Sequence, residues 1–366
     1  MINIKKPTAI ISKTRIKRNI EQIALKTKRS DIKFRPHFKT HQSKEIGEFF
    51  KEYDVSAITV SSLDMAIYFA REGWEDITLA VPCNIKQINE INILAKKISL
   101  GLLVDSLETT RFLAENITSI VNVWIEIDID YHRTGVSFQD RTKVFNIANL
   151  IRKNENLNFS GLLTHAGNSY YAKSRDELLK IHNESIKRLI ELKLYLSNEG
   201  IKNIQISIGD TPTCSIIEDF DGIDEIRPGN FVFYDLMHVK LGVCNENDIA
   251  LAVACPVISK NLDRNEVVIY GGAIHLSKDY IQLDDHTKNF GRVAFPNKDH
   301  WSNSQPKSYV KGLSQEHGVI KMDKNIIGSI NVGDILFILP IHSCLTANLY
   351  TDLYSLIGEK YSTFQY

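Results

Sequence analysis

Lys39 stands among other basic side chains in the stretch RPHFKTH, residues 35–41, where a short apolar run ends. A lysine is usually a solvated surface charge. Neighbouring cations and partial burial would lower its pKa and make the neutral amine available as a nucleophile or base. The alternative is a basic surface loop with no chemical role.

A second group of residues suits a phosphate. Glycine lets a backbone approach closely, while hydroxyl and amide side chains donate hydrogen bonds. A phosphate site together with a reactive lysine suggests pyridoxal phosphate, a cofactor that needs a lysine for its Schiff base. The residues that we expect at the phosphate are Gly209, Thr211 and Thr213 in GDTPT, with Gly229 and Asn230 in RPGN.

A third group is the pair His342 and Cys344 in PIHSC, which follows the apolar run DILFIL. If that run is a strand and continues through the pair, side chains two residues apart point to the same face and can bind one ion. Imidazole with thiolate favours zinc. Two protein ligands predict an open site completed by water or substrate, because structural zinc usually has four. The alternative is an incidental histidine beside an inert buried cysteine.

The elements that must position these residues alternate between short apolar strands and helical stretches. Eight such strands in strand–helix order predict a closed (β/α)8 barrel of TIM type, with chemistry at the carboxyl ends of the strands. An open doubly wound sheet is the alternative, weakened because no G-x-G-x-x-G follows an early strand. The predicted strands cover residues 33–38, 56–61, 76–82, 99–104, 121–128, 158–164, 203–208 and 223–227.

Beyond about residue 245 the sequence becomes rich in short β patterns separated by Gly, Pro and Asn. We therefore expect a barrel domain over 1–245 and a mostly β domain, carrying the metal ligands, over 246–366. The extended start TAIISKTRI could join the β domain.

Composition excludes several classes of protein. The 366 residues include 44 Lys and Arg and 44 Asp and Glu, so the net charge is zero, which argues against binding to nucleic acid or an anionic membrane. No apolar run approaches the roughly 20 residues needed to span a bilayer. The five scattered cysteines are typical of reduced thiols, so we expect a cytoplasmic protein.

Seven motifs occur in order along nearly the whole chain: RPHFKTHQSKEIG, IEIDIDYHRTGV, LLTHAGNSY, GDTPT, EIRPGNFVFYD, SQEHG and ILPIHSCLTANLY. Together they resemble the D-threonine aldolase and D-serine dehydratase family, and most closely its zinc-dependent D-serine dehydratases. Members are fold-type III pyridoxal-phosphate enzymes, built like alanine racemase from a barrel and a β domain.

The resemblance implies a role for each matched residue. Lys39 carries the Schiff base and is catalytic, while His342 and Cys344 bind Zn²⁺. Arg227 falls where alanine racemase has an arginine on the pyridine nitrogen. The resemblance also implies a homodimer with active sites between one subunit's barrel and the other's β domain. The expected cofactor-binding residues are Lys39, Arg133, His165, Tyr170, Thr211, Gly229 and Asn230.

Two stretches depart from the family. Asp210 stands in GDTPT where a serine is expected, and a negative charge beside a phosphate is unfavourable unless it points away. The stretch YGGAIHLSKD, residues 270–279, also differs, which leaves the substrate open.

The implied reaction is β-elimination from a β-hydroxy D-amino acid, which gives a keto acid and ammonia. The candidate substrates are D-serine, D-threonine and 3-hydroxy-D-aspartate. A D-threonine-type aldolase that gives glycine and an aldehyde is the alternative. An amino-acid racemase and a non-catalytic pyridoxal-phosphate carrier are less favoured, since neither explains the metal pair.

Overall fold

The structure is a computed structural model that describes residues 3–297 and 300–365, and it divides into two compact units. The barrel unit contains Gln22–Lys39 and Phe50–Gly229. The β unit contains the described residues up to Glu21 together with Thr40–Phe49 and Asn230–Gln365. Each unit is therefore assembled from separate stretches of the chain.

Eight parallel strands form the sheet of the barrel unit, each paired with the next along the chain. The last strand pairs with the first, and a parallel bridge between His37 and Thr59 closes the ring. The predicted (β/α)8 barrel is thus confirmed. The strands are Lys33–Phe34, Ala57–Val60, Asp76–Pro82, Ser99–Val104, Val121–Asp128, Leu157–Thr164, Gln205–Ile208 and Glu225–Ile226; Val136–Ser137 pairs with Val121–Asp128 outside the ring.

Helices follow most of these strands, and serine side chains start several of them. Ser62, Ser106 and Ser174 each accept the backbone N–H three residues later, which satisfies a donor that the helix leaves unpaired. No helix in the described ranges is both long enough and apolar enough to cross a bilayer. The α-helices of the barrel unit are Leu63–Arg71, Ile88–Ala95, Leu107–Asn116, Arg141–Arg152, Arg175–Asn198 and Thr211–Ile216.

The β unit contains six antiparallel strands that close on themselves, because Leu251–Asn261 pairs with both Glu266–Tyr270 and Ile335–Pro340. The mostly β second domain expected from the sequence is therefore present. The extended start contributes as well, since Thr8–Ile11 pairs antiparallel with the beginning of Leu251–Asn261. The other strands of this sheet are Gly291–Ala294, Tyr309–Leu313, His317–Lys321, Asp352–Tyr354 and Lys360–Ser362.

Shorter elements complete the chain. The α-helices outside the barrel set are Lys13–Arg29, Lys44–Lys51, Leu236–Lys240, Ala273–Leu276 and Ser343–Ala347. Two small hairpins pair Ile281–Gln282 with Lys288–Asn289 and Pro296–Asn297 with His300–Trp301.

Alternating apolar side chains fill the interior of the closed six-stranded sheet. Val253, Ile269, Val293, Ile320 and Ile338 are all fully buried members of this core. Burying each such side chain contributes roughly 1.5–3 kcal/mol. The strand Ile335–Pro340 contributes to this core. It therefore fixes the start of the turn that contains His342 and Cys344.

Candidate active site

Lys39 lies in the segment that follows the first barrel strand, two residues after the bridge that closes the barrel. Its backbone N–H donates to Nδ1 of His37 at 3.4 Å, which assigns that nitrogen as an acceptor. The Lys39 side chain is exposed, so the partial burial expected from the sequence is absent from the single chain.

Three cations lie near two imidazoles in the barrel unit, that of buried His37 and that of partly buried His165. Burial, followed by the charges of Lys39 and Arg227, lowers the pKa of His37 well below its usual value. Burial also lowers the pKa of His165 to about 3, with Lys39, Arg133 and Arg227 acting in the same direction. Both rings are therefore neutral near pH 7, and the net positive charge at this end of the barrel favours an anionic ligand.

The loops after the sixth, seventh and eighth barrel strands are tied together. Nδ1 of His165 contacts the carbonyl oxygen of Gly209. The backbone N–H of Thr211 donates to the Tyr170 hydroxyl at 3.3 Å, and Gly229 N–H donates to Oγ1 of Thr211 at 3.3 Å. The structure therefore brings together the motifs THAGNSYY, GDTPT and RPGN, as the barrel prediction requires.

Asp210 points into its own helix. It is the N-cap of Thr211–Ile216 and accepts from both the backbone N–H and the hydroxyl of Thr213, at 2.8 and 2.7 Å. Ser169 donates to the same carboxyl at 2.9 Å. The unexpected acid in GDTPT is thus a capping residue. Burial raises the pKa of its carboxyl, and the hydrogen bonds from Thr213 and Ser169 oppose that shift.

Arg227 is buried and anchored to the barrel. Its Nε donates to Oγ of Ser207 and its Nη2 to the carbonyl oxygen of Thr164, each at 2.7 Å. A Cβ at Gly209 would lie 3.0 Å from the Arg227 Cβ and 3.1 Å from Nη1. Glycine at 209 therefore leaves room for this guanidinium beside the GDTPT loop, where a side chain would force Arg227 to shift.

These residues fit pyridoxal phosphate. Lys39 supplies the amine that the aldehyde needs, and the three cations suit the phosphate and a substrate carboxylate. In addition, the buried Oδ1 of Asn168, in the loop that contains Tyr170, has no hydrogen-bond partner among the described residues. A buried acceptor without a donor is unfavourable, so a ligand or water in this loop would stabilise it.

The local structure of the metal pair differs from the prediction. We expected His342 and Cys344 on one face of a strand, and this was wrong: the strand ends at Pro340, and His342 is the N-cap residue of helix Ser343–Ala347. The two side chains are nevertheless close enough to interact, since the Cys344 side chain raises the pKa of the His342 imidazole. The two side chains are therefore brought together by the turn into this helix, and not by the alternation of a strand.

Further polar groups of the β unit surround this pair. Nδ1 of His342 lies 3.9 Å from Oδ2 of Asp279, and Sγ of Cys344 lies 3.3 Å from Oγ1 of Thr40. Burial alone would lower the pKa of His342, but the interaction with Cys344 and the charges of Asp235 and Asp279 raise it to about 9. Within the described residues, no three His, Cys, Asp or Glu side chains form a metal-binding group. Imidazole with thiol is a donor set that fits an open zinc site, not a closed one.

Asn230, expected at the phosphate, uses its side chain elsewhere. Its Nδ2 donates to Oδ2 of Asp235 at 2.6 Å, and its Oδ1 accepts from Oγ of Ser343 at 2.7 Å. Sequence reasoning missed Asp235, which is fully buried. The sequence offered one signal for it, a carboxylate at the end of the apolar run FVFYD. An acid buried with such a run needs hydrogen-bond donors around it.

Glu126 is a second residue that sequence reasoning missed. It lies in the strand Val121–Asp128, and its Oε1 accepts from Oγ1 of Thr134 at 3.0 Å, next to Arg133. Its buried Oε2 has no hydrogen-bond partner among the described residues, and burial raises the pKa of the carboxyl. A lone acid inside the otherwise apolar segment VWIEI was the signal.

Comparison with known proteins agrees with both units. Residues 11–236 match the family model described as "Alanine racemase, N-terminal domain", and residues 250–356 match "Putative serine dehydratase domain". The D-threo-3-hydroxyaspartate dehydratase of Delftia sp. strain HT23 is 28% identical, with 94% of this chain and 92% of the relative covered. The D-serine dehydratase of Dictyostelium discoideum is 27% identical, with 98% and 95% covered.

A solved structure extends this similarity to the fold. A cysteine-to-alanine mutant of D-threo-3-hydroxyaspartate dehydratase, in the metal-free form, superposes with a TM-score of 0.92 at 27% identity, covering 100% of this chain and 98% of the other. The chain therefore belongs to the alanine racemase N-terminal domain family, within which the similar proteins named above are dehydratases, and so lyases.

Proposed function

We propose that this lyase eliminates water from a β-hydroxy D-amino acid and releases a keto acid and ammonia. Pyridoxal phosphate would be held by residues of the barrel unit, and Zn²⁺ by His342 and Cys344. The substrates that we propose are D-serine and threo-3-hydroxy-D-aspartate, because relatives over nearly the full chain are named for these compounds.

Lys39 has two roles in this proposal. Its amine would bind the cofactor covalently and, once released by the amine of the substrate, would take the proton from the α-carbon. Pyridoxal phosphate supplies a sink for the electron pair that remains at that carbon. The exposure of Lys39 leaves its amine accessible for both tasks.

The cationic residues around Lys39 would bind and orient. Arg133 and Arg227 supply positive charge toward the phosphate and the substrate carboxylate, while the neutral rings of His37 and His165 add none. Thr211, Tyr170 and the backbone at Gly229 would line the phosphate, since their loops are already hydrogen-bonded to one another.

The observation that carries the choice of reaction is that His342 and Cys344 flank Ser343 at the start of helix Ser343–Ala347, where the Cys344 side chain raises the pKa of His342. A zinc ion there would supply a Lewis acid for the β-hydroxyl leaving group. A racemase does not need such a group, because its substrate loses no hydroxyl. The similar structure of a D-threo-3-hydroxyaspartate dehydratase with a cysteine replaced by alanine adds support, because it is described as a metal-free form and so as a protein that can hold a metal.

A D-threonine-type aldolase remains the second candidate function, because it would use the same cofactor and a metal on the same hydroxyl. It differs in the bond that breaks, Cα–Cβ in place of Cβ–O. A carrier without activity would give no product from any D-amino acid.

We also propose a cytoplasmic location. All five cysteines lie in the described part of the chain and are free thiols, as a reducing compartment permits.

A panel of D-serine, threo-3-hydroxy-D-aspartate and D-threonine, supplied to the cofactor-loaded protein with zinc and after chelation, tests the reaction. We expect zinc-dependent keto acid and ammonia. Cys344→Ala should lower keto acid formation at least about 100-fold, because the leaving group loses its Lewis acid. Exchange of the α-proton with solvent should persist, since Lys39 is unchanged.

The matched control is Cys255→Ala, at a fully buried cysteine of the same unit. It should keep zinc-dependent activity. Unchanged keto acid formation by Cys344→Ala would contradict the zinc role. Glycine and acetaldehyde as the main products from D-threonine would establish the aldolase instead.

A further inference from the structure

Asp235 is a buried carboxylate that collects hydrogen bonds from three parts of the β unit. Its side chain has no exposed surface. Oδ2 accepts from Nδ2 of Asn230 at 2.6 Å and from the backbone N–H of Ser343 at 3.0 Å. Oδ1 accepts from the backbone and the ring Nδ1 of His238, at 3.1 and 2.6 Å. Both oxygens are therefore held in fixed directions.

Ser343 is the residue between His342 and Cys344, and it is itself fully buried. Its backbone N–H belongs to the peptide that begins at His342, and its carbonyl to the peptide that leads to Cys344. Its Oγ also donates to Oδ1 of Asn230 at 2.7 Å. The backbone and the side chain of one residue are thus both fixed, and rotation of either adjoining peptide would move a neighbouring side chain.

We infer that Asp235 is a positioning residue for the metal pair: it holds the Ser343 peptide so that His342 and Cys344 face one ion. This inference rests on the proposed zinc site. Groups that orient metal ligands without touching the metal typically change metal affinity 10–100-fold when removed. The effect passes through Ser343, whose backbone N–H and hydroxyl both donate to Oδ2 of Asp235, at 3.0 and 3.4 Å.

A carboxylate is required because four donor groups face Asp235, two at each oxygen. In Asp235→Asn, one oxygen becomes an NH₂ group and confronts either the Ser343 N–H and Asn230 Nδ2 or the two His238 donors. Two donors facing each other cannot bond, so in the first orientation the turn loses its anchor. In the second orientation the side chain at 235 loses the bonds from His238 that fix its direction. Side-chain volume hardly changes, which separates this effect from a packing defect.

The test measures Zn²⁺ binding to the cofactor-loaded, metal-stripped protein by competition with a chromophoric chelator. We expect Asp235→Asn to bind zinc about 10–100-fold more weakly than the parent. The same proteins loaded with Co²⁺ report ligand geometry, and the thiolate-to-cobalt absorption should weaken or shift in the variant. A loss of overall stability alone would leave that absorption unchanged in the folded fraction.

Two further variants keep the outcome decisive. Ser343→Ala removes the hydroxyl bonds to Asn230 and, at 3.4 Å, to Oδ2 of Asp235, and it should weaken zinc binding by about threefold to tenfold. It decides the question if Asp235→Asn does not fold. Asp352→Asn is the matched control, because the partly buried Asp352 belongs to the same unit but pairs with the exposed Lys360, and its zinc affinity should equal that of the parent.

The results separate this inference from the proposed function. If zinc binding by the parent survives His342→Ala and Cys344→Ala, the zinc site itself is overturned, and the inference with it. If those changes abolish binding but folded Asp235→Asn, or Ser343→Ala in its place, keeps parental affinity and the parental cobalt spectrum, the inference alone is overturned.

Discussion

At the scale of single residues, the candidate site combines charged basic side chains with neutral imidazoles. Lys39, Arg133 and Arg227 carry positive charge, whereas His37 and His165 stay neutral because they are buried beside those cations. A cluster of five basic residues thus holds three charges near pH 7. This limits the mutual repulsion while it keeps a field that attracts an anion.

Lys39→Ala should abolish covalent cofactor binding, because the variant has no amine at the position that faces the two histidines. The parent protein with pyridoxal phosphate should absorb visible light, and borohydride should fix the cofactor to the peptide that contains Lys39. Mass spectrometry of the reduced, digested protein measures this.

The nearby Lys44→Ala variant is the control and should keep the labelled Lys39 peptide. A reducible adduct at another lysine of Lys39→Ala, with activity retained, would contradict the assignment.

Residue types and order were enough to predict which loops meet, but not how each side chain is used. Asp210 shows a signal that was readable: an acid followed by T-P-T is typical of an N-cap with proline in the first turn, and the structure has that cap. The partners of Asn230 were not readable, because Asp235 and Ser343 come near it only after the β unit folds.

At the scale of elements, apolar patterning predicted the eight barrel strands within a few residues, since buried parallel strands are nearly continuous apolar runs. It failed for the turn at His342. A helix of five residues, Ser343–Ala347, is too short to show a period, and its first turn is held by a distant carboxylate. A contact between residues so far apart in the sequence cannot be predicted from the residues around His342.

Helix Arg175–Asn198 offers an element-scale prediction about pH. His182 occupies its buried stripe, and burial lowers the pKa of that imidazole to about 4. In the unfolded chain a histidine takes up its proton near pH 6.5. As the pH falls from about 6.5 to 4, His182 therefore binds a proton in the unfolded state but not in the folded state, and the free energy of unfolding decreases.

His182→Leu should remove this loss. Relative to the parent, the variant should gain up to about 3 kcal/mol of folding stability between pH 7 and pH 4. Unfolding midpoints measured at several pH values report the gain. His286→Asn, at an exposed histidine, serves as the control. Parallel profiles for His182→Leu and the parent would contradict the prediction.

At the scale of the whole molecule, the two closed sheets are made from interleaved stretches of chain. The sequence predicted two domains of the observed types. It did not predict that Thr40–Phe49 belongs with the β unit, because that assignment depends on contacts such as the bridge between Ser43 and Thr363.

We predict that the protein is a homodimer, as its resemblance to alanine racemase implies. Exposed apolar side chains such as Leu345 and Leu349, 48% and 41% accessible, are a feature that association would remove from water. Sedimentation at micromolar concentration should give twice the chain mass of 41.7 kDa. A fully active monomer at nanomolar concentration would contradict this.

The pairing of Thr8–Ile11 also sets an order for biosynthesis. Ile11 pairs with Leu251, 240 positions later, and Ile10 with Tyr354 near the end of the chain. All strands of the barrel are translated before either partner of that first strand leaves the ribosome. The nascent polypeptide must therefore carry the apolar strand TAII without its neighbours while the barrel folds. A translation product that ended near residue 245 would lack both partners of Thr8–Ile11, so that strand could not pair as it does here.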